Sequence, residues 1–313
     1  MEQAQQGAIE SLKLVSAVSL SVRNAFTLSP EIFDIVIVDE ASQCDLASLL
    51  PVIYRAKRIV ILGDPNQLPH ITNITKSESD YVATKYDIGK YQVQFSSKSL
   101  FDFVDDLSKK SNFKSVMLNE HYRCHPEIIK WSNDHIYRTT LGQVMTIKTT
   151  PAQYDVVEKG FYWLDVKGEM DNEKNTNKYH ALSTKNLYDR LRADNPTKSI
   201  GIITPFRGQR KLLQDIIGES DKLLKIDSVH KFQGDEKDII IFNMVISSNS
   251  AQSKLNFVNR NSYILNVAIT RARAALYIIG DFNALSAKGS PKTPVEKLAH
   301  YANDLSKVID SKH

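Results

Sequence analysis

Residues 35–43 read Ile-Val-Ile-Val-Asp-Glu-Ala-Ser-Gln, an apolar run that ends in two adjacent acids. Asp39 and Glu40 therefore lie where a buried strand would emerge at its C-terminal end, the place at which α/β sheets hold their ligands. Comparable β-branched runs occur at 12–18, 59–62, 199–203, 239–245 and 275–279. Continuous apolar runs without alternation predict strands covered on both faces, as in parallel sheets. Helical spacing of apolar residues lies between them, at 45–54, 99–109, 126–137, 209–217 and 265–273. Strand alternating with helix predicts the α/β class, with mainly parallel, doubly wound sheets. Two stretches interrupt the pattern: polar residues 70–98, read as an insertion or long loop, and irregular residues 139–159. Beyond Asp281 the chain passes through Ala287-Lys288-Gly289-Ser290-Pro291 into an expected helix over 294–308.

The bulk properties narrow the class. A chain of 313 residues is long enough for about two domains. Hydrophobic residues at 42% and charged residues at 24% fit an ordinary soluble globular protein. No apolar run approaches the ~20 residues that span a bilayer. The polar start, Met-Glu-Gln-Ala-Gln-Gln, lacks the basic and apolar regions of a signal peptide. Cys44 and Cys124 form no disulfide framework, so a cytoplasmic location is expected. A net charge of +4 permits nucleic-acid binding without arguing for it.

Chemistry gathers at a few segments. Asp39 suits a magnesium ion held through water, because magnesium keeps much of its hydration shell. Glu40 suits the orientation or deprotonation of a water attacking a phosphate. The next apolar run ends Gly63-Asp64-Pro65-Asn66-Gln67-Leu68-Pro69, a turn stiffened by two prolines in which Gln67 can present its amide to a phosphate or to that water. Residues 118–128 include His121-Tyr122-Arg123-Cys124-His125-Pro126. Tyr122 offers a flat face for a purine, and Arg123 a forked donor for phosphate. Cys124 and His125 are poor joint metal ligands, with no second Cys/His pair at suitable spacing. In Thr204-Pro205-Phe206-Arg207-Gly208-Gln209, the Thr204 hydroxyl and the amides of the following helix suit a phosphate of a bound strand, although a simple helix cap explains Thr204 nearly as well. Ser228 and His230 can contact a nucleic-acid backbone. Gln233, Gly234 and Glu236 lie in a turn where Glu236 can accept from a ribose. In Val267-Ala268-Ile269-Thr270-Arg271-Ala272-Arg273 a helix would send the two arginines to different faces. Arg271 is then suited to act as an arginine finger.

Taken in order, these segments resemble the superfamily 1 helicases, in the branch of the nonsense-mediated-decay RNA helicase and its bacterial relatives. Six ordered motifs over residues 12 to 282 carry the resemblance. It implies two RecA-like domains of the P-loop NTPase type, with ATP and Mg2+ bound between them and single-stranded DNA or RNA across both. The expected parts are a first domain over 1–118, incomplete; a second over 119–285; and a helical tail over 286–313. The resemblance assigns catalysis to Asp39 (also the metal ligand), Glu40, Gln67, Arg123 and Arg271. It puts Tyr122 near the adenine, Gln233, Gly234 and Glu236 near the nucleotide, and Ser19, Thr204 and Ser228 along the nucleic acid.

The chain departs from the family in one respect. The phosphate-cradling G-x-x-x-x-G-K-[ST] loop is written nowhere in the 313 residues. The one Gly-Lys pair, Gly89-Lys90, precedes Tyr91 and has no glycine five positions earlier. The expectation is a motor whose phosphate loop lies elsewhere, in a truncated reading frame or in a separate N-terminal chain. The alternative is a non-catalytic nucleic-acid- or partner-binding remnant.

Overall fold

The computed structural model describes residues 7, 11–72, 74–89, 96–111, 115–218, 220–260 and 262–310. The expected insertion at 70–98 falls partly outside them. The chain forms two compact units, Met1–Val116 and Met117–His313.

In the first unit, strands β1 (Phe33–Val38) and β2 (Ala56–Ile61) pair in parallel, with Val38 opposite Ile61. The helix Leu46–Tyr54 connects them and is capped by Asp45, whose carboxylate accepts from the Ser48 amide at 2.8 Å. A second helix, Leu100–Lys110, starts at a reciprocal Ser99–Asp102 cap. Val36, Val38 and Ile61 pack with Leu46, Leu49 and Leu100. The opposite side of the ribbon is open: Ile37 is 61% exposed. These two strands are therefore covered on one face, not on both as the apolar run suggested. Residues 12–18, expected as a strand, pair with no described strand and are irregular, with Leu14 exposed. A strand needs a neighbour to satisfy its backbone, and none is present there among the described residues. Among its described residues the polar stretch contains the helix Lys76–Lys85.

The second unit follows the buried pattern fully. After the short parallel pair β3 (Glu120–His121) and β4 (Thr146–Ile147) come β5 (Gly160–Asp165), β6 (Ile200–Thr204), β7 (Leu224–Ser228), β8 (Lys237–Asn243), β9 (Ala272–Gly280) and β10 (Val308–Asp310). The last six form one all-parallel sheet in the order β10-β5-β9-β8-β6-β7. Ile239, Ile241, Tyr277 and Ile279 pack on one face with Leu187 and Leu191 of the helix Lys178–Asp194 and Leu213 of the helix Arg207–Ile217. Their neighbours Ile240, Phe242, Leu276 and Ile278 alternate to the other face and are equally buried. The helices Pro126–Ser132, Ser262–Thr270 and Pro294–Asp304 lie against that side. Residues 286–310 belong to this unit. Their helix stops at Asp304, short of the expected Val308, because Ser306 turns at positive φ and Val308–Asp310 pairs with β5 as the edge strand of the sheet. Among the described residues no helix is long and apolar enough to cross a membrane.

Candidate functional site

In the first unit, Asp39 and Glu40 follow β1 directly. Glu40 adopts the left-handed region, φ 52° and ψ 38°, with its amide donating to Asp39 Oδ1 at 2.9 Å. A non-glycine residue there costs about 1 kcal/mol or more, and such strain concentrates at working sites. The loop after β2 is stitched to this corner. Ala41 N donates to the Leu62 carbonyl at 2.8 Å, and His70 N to the Ser42 carbonyl at 3.0 Å. Gly63 allows the close approach: a Cβ there would stand 2.6 Å from Phe101 Cδ2 and 3.1 Å from Ser42 N. Asp64 orders the turn, accepting from the Asn66 amide at 2.9 Å and from Gln67 Nε2 at 3.1 Å. Asp39, Glu40 and Gln67 thus share the C-terminal end of adjacent parallel strands. Asp39 is exposed. One exposed carboxylate fits a magnesium ion whose remaining ligands are water and nucleotide phosphate. Among the described residues no three His, Cys, Asp or Glu side chains cluster as a metal centre. Ser19 is half-buried, at the start of the single turn Ser19–Ser21.

In the second unit, the segment carrying Tyr122 and Arg123 is fixed by its backbone. Cys124 N donates to His121 Nε2 at 2.8 Å, His125 N to the Arg273 carbonyl at 2.7 Å, and Tyr154 Oη to the Arg123 carbonyl at 2.9 Å. Burial, with the Arg123 charge adding to it, lowers the His121 pKa to about 4, which keeps this acceptor neutral. Burial pushes the Cys124 thiol up to about 12. Its thiol points to the Thr270 carbonyl at 3.6 Å, so Cys124 is a core residue. Tyr122 is 65% exposed, its hydroxyl donating to the Glu120 carboxylate.

Arg123 Nε lies 2.6 Å from Glu236 Oε2, and Arg273 Nη1 lies 3.8 Å from Glu236 Oε1. Gly234, at φ +80°, makes the turn before Glu236, beside a half-buried Gln233. The helix expected to run through Arg273 stops at Thr270. Arg271 sits in the junction and Arg273 is the second residue of β9. The two arginines do separate, because Arg271 lies in the turn between helix and strand while Arg273 lies within β9. Arg271 is 3% exposed, with Nη1 3.4 Å from the Asp235 carbonyl and Nη2 3.4 Å from Thr270 Oγ1, whereas Arg273 is exposed.

Thr204 and Ser228 end β6 and β7 and are paired in register. Thr204 is fully buried, and its hydroxyl has no hydrogen-bond partner among the described residues. The helix Arg207–Ile217 that follows has no side-chain cap at Phe206, which leaves first-turn amides open to an acceptor. His230 is exposed, on the short helix Val229–Phe232. Partial desolvation of the ring by its neighbours, with the Arg207 charge second, lowers its pKa.

Sequence reasoning missed what lies beneath Thr204. Gln209 accepts from Asn177 N at 2.7 Å and donates to the Asn177 carbonyl at 3.0 Å and to Asn243 Oδ1 at 3.3 Å. Asn243 Nδ2 donates to Thr184 Oγ1 at 2.8 Å, and Asn177 Nδ2 to Ser247 Oγ at 2.8 Å. Asn177, Thr184, Gln209 and Asn243 are all completely buried. The signal for this network was Gln209, which falls on the helical stripe otherwise formed by Leu212, Leu213, Ile216 and Ile217.

Because β6 to β9 are parallel, the two candidate sets lie at opposite ends of one sheet. Thr204 and Ser228 are at the C-terminal ends of β6 and β7, while Glu236, Arg271 and Arg273 surround the N-terminal ends of β8 and β9.

Comparison with known proteins adds the following. A family profile described as an AAA domain matches residues 96–283, and a second with the same description matches residues 2–73. The helicase sen1 of Schizosaccharomyces pombe is 33% identical over 271 residues, covering 81% of this chain and 15% of the relative. The helicase SEN1 of Saccharomyces cerevisiae is 29% identical over 273 residues, covering 81% of this chain and 11% of the relative. Among solved structures, the PRRSV helicase is similar with a TM-score of 0.40 at 15% identity, covering 82% of this chain and 38% of that one. The chain spans from 10% to 33% of the length of the first relatives it matches.

Proposed function

This chain belongs to the AAA-domain superfamily 1 helicases, and on that premise we propose that it forms part of an ATP-dependent motor that moves along single-stranded DNA or RNA. The observation that carries the proposal is the placement of the two candidate sets at opposite ends of one parallel sheet. A motor needs this separation: groups that read the nucleotide at one end of a rigid body, and groups that grip the strand at the other.

In this reading Asp39 holds Mg2+ through water. The ion supplies charge neutralisation at the phosphates. Glu40 and Gln67 position the attacking water. Arg123 and Arg271 act on the phosphates of the same nucleotide, where an arginine finger contributes roughly 10³–10⁵ in rate in other phosphoryl-transfer enzymes. Tyr122 stacks on the base, and Gln233, Gly234 and Glu236 border the ribose. Thr204, Ser228, His230 and Ser19 line the path of the strand. Two free cysteines fit the expected cytoplasmic location.

The test is ATP hydrolysis by this chain together with a segment that supplies a G-x-x-x-x-G-K-[ST] loop, fused to it or as a separate chain. Single-stranded nucleic acid stimulates turnover, and Glu40→Gln abolishes it while largely sparing nucleotide binding. Nucleic-acid binding without any Glu40-dependent hydrolysis would favour the non-catalytic reading.

A further inference from the structure

The motif that carries Arg271 also carries Arg273, to which the reading above gives no task. We propose that Arg273 is a positioning residue for the nucleotide, holding the Glu236 carboxylate toward the ribose when Arg123 leaves it for the phosphates. The proposal rests on the nucleotide site proposed above and assigns a role within it.

The geometry points to Arg273 from two directions. Its carbonyl accepts the His125 amide at 2.7 Å, so its backbone ties the Tyr122–Arg123 segment to β9. Its guanidinium reaches Glu236 across the adjoining strand ends, where Lys237 pairs with Ala272. Arg273 thus joins the base-side segment and the ribose-side acid through separate parts of one residue.

The two cations on Glu236 are not equivalent. Arg123 holds one carboxylate oxygen at 2.6 Å, and Arg273 stands 3.8 Å from the other. All three side chains are about half exposed, and ion pairs in such places are weak and readily exchanged. Arg123 can therefore release Glu236 at little cost when a triphosphate offers it more charge. Glu236 alone would then be an unpaired acid beside an anionic ligand. Arg273 remains on the opposite oxygen, keeps the pair neutral, and leaves the oxygen freed by Arg123 to accept from a ribose hydroxyl.

The test compares binding of ATP and 2′,3′-dideoxy-ATP, by calorimetry at one salt concentration, to the 313-residue chain and its variants. The wild type prefers the ribose form by on the order of tenfold, the worth of a hydrogen bond to a charged group. Arg273→Ala brings the ratio close to one, and Arg273→Lys restores part of it. Arg123→Ala retains the ratio while losing the preference for triphosphate over monophosphate. A merely structural role would lower the melting temperature of Arg273→Ala and leave the ratio unchanged, and that result overturns the proposal. A wild type that binds ATP without distinguishing the two sugars overturns both the Glu236 assignment and the role of Arg273. A wild type that binds neither nucleotide, even when supplied with a G-x-x-x-x-G-K-[ST] loop, overturns the nucleotide site itself.

Discussion

His180 has its charge state set by the fold. It is completely buried, its Nε2 lies 3.0 Å from the Val166 carbonyl, and its Nδ1 has no partner among the described residues. The carbonyl fixes the proton on Nε2, so a second proton would have no acceptor, and burial lowers the pKa to about 4. His121 is lowered to the same value by burial and Arg123, and there the ring must stay an acceptor for Cys124 N. Both rings bind a proton more readily unfolded, near pH 6.5, than folded. Their contribution to stability is therefore complete above about pH 6.5 and is lost as pH falls toward 4, at up to about 1.4 kcal/mol per pH unit for each ring. Urea unfolding midpoints at pH 7 and pH 5 check this. A midpoint equal or higher at pH 5 contradicts it. Neither ring's state was legible in the sequence, where His180 falls in a stretch of mixed polarity. The separation of Arg271 from Arg273 was legible in direction, but its cause was not. A helix would send residues i and i+2 apart and a strand would put them on one face; here they part because the helix ends at Thr270 and leaves Arg271 in the turn before β9, which begins where Ala272 pairs with Lys237.

Elements were legible where one face or both faces are apolar. Ile239 to Phe242 announce β8 because every side chain is covered. The seventeen-residue helix Lys178–Asp194 gave no clear signal, since its buried side includes His180 and Thr184 as well as Leu187 and Leu191. A polar network blurs hydrophobic periodicity. The strand β7, Leu-Lys-Ile-Asp-Ser, is mixed because it is an edge of the sheet. That network yields two predictions. Gln209→Leu strands the Asn177 amide and carbonyl and the Asn243 side chain in the core. With each buried unsatisfied group costing about 1–3 kcal/mol, the variant loses about 3 kcal/mol or more; an unchanged denaturation midpoint would sink the network's structural role. Gly208→Ala places a Cβ 1.9 Å from the Lys174 carbonyl. The backbone itself must move, costing about 1–3 kcal/mol. If Thr204 and the helix after it grip a strand, the affinity for single-stranded nucleic acid falls with this displacement. Binding at wild-type strength by a demonstrably destabilised Gly208→Ala would argue that this end of the sheet is not the gripping surface.

At the scale of the whole molecule, the α/β class and the all-parallel second sheet were written in the apolar runs. The open face of β1 and β2 was not, because a run such as Ile-Val-Ile-Val reads the same whether one or two layers cover it. The whole-molecule chemistry supports a last prediction. These 313 residues carry the acids, the amide and the arginines proposed for hydrolysis, but no G-x-x-x-x-G-K-[ST] loop. Phosphoryl transfer is catalysed mostly by positioning and by charge placed where charge develops. Asp39, Glu40 and Gln67 are already ordered by β1, β2 and their linked loops, so what they lack is a phosphate held in line with the water. Removing a single preorganised donor from such a site costs about 10²–10³ in rate, and a phosphate cradle supplies several. The 313-residue chain alone therefore hydrolyses ATP at least roughly a hundredfold more slowly than the same chain supplied with the loop, fused or added as a separate chain. In the supplied form, Arg271→Ala removes roughly 10³ or more of the rate. Steady-state phosphate release with and without single-stranded nucleic acid measures both effects. Brisk, Glu40-dependent turnover by the 313 residues alone would mean that some other group in the chain cradles the phosphates.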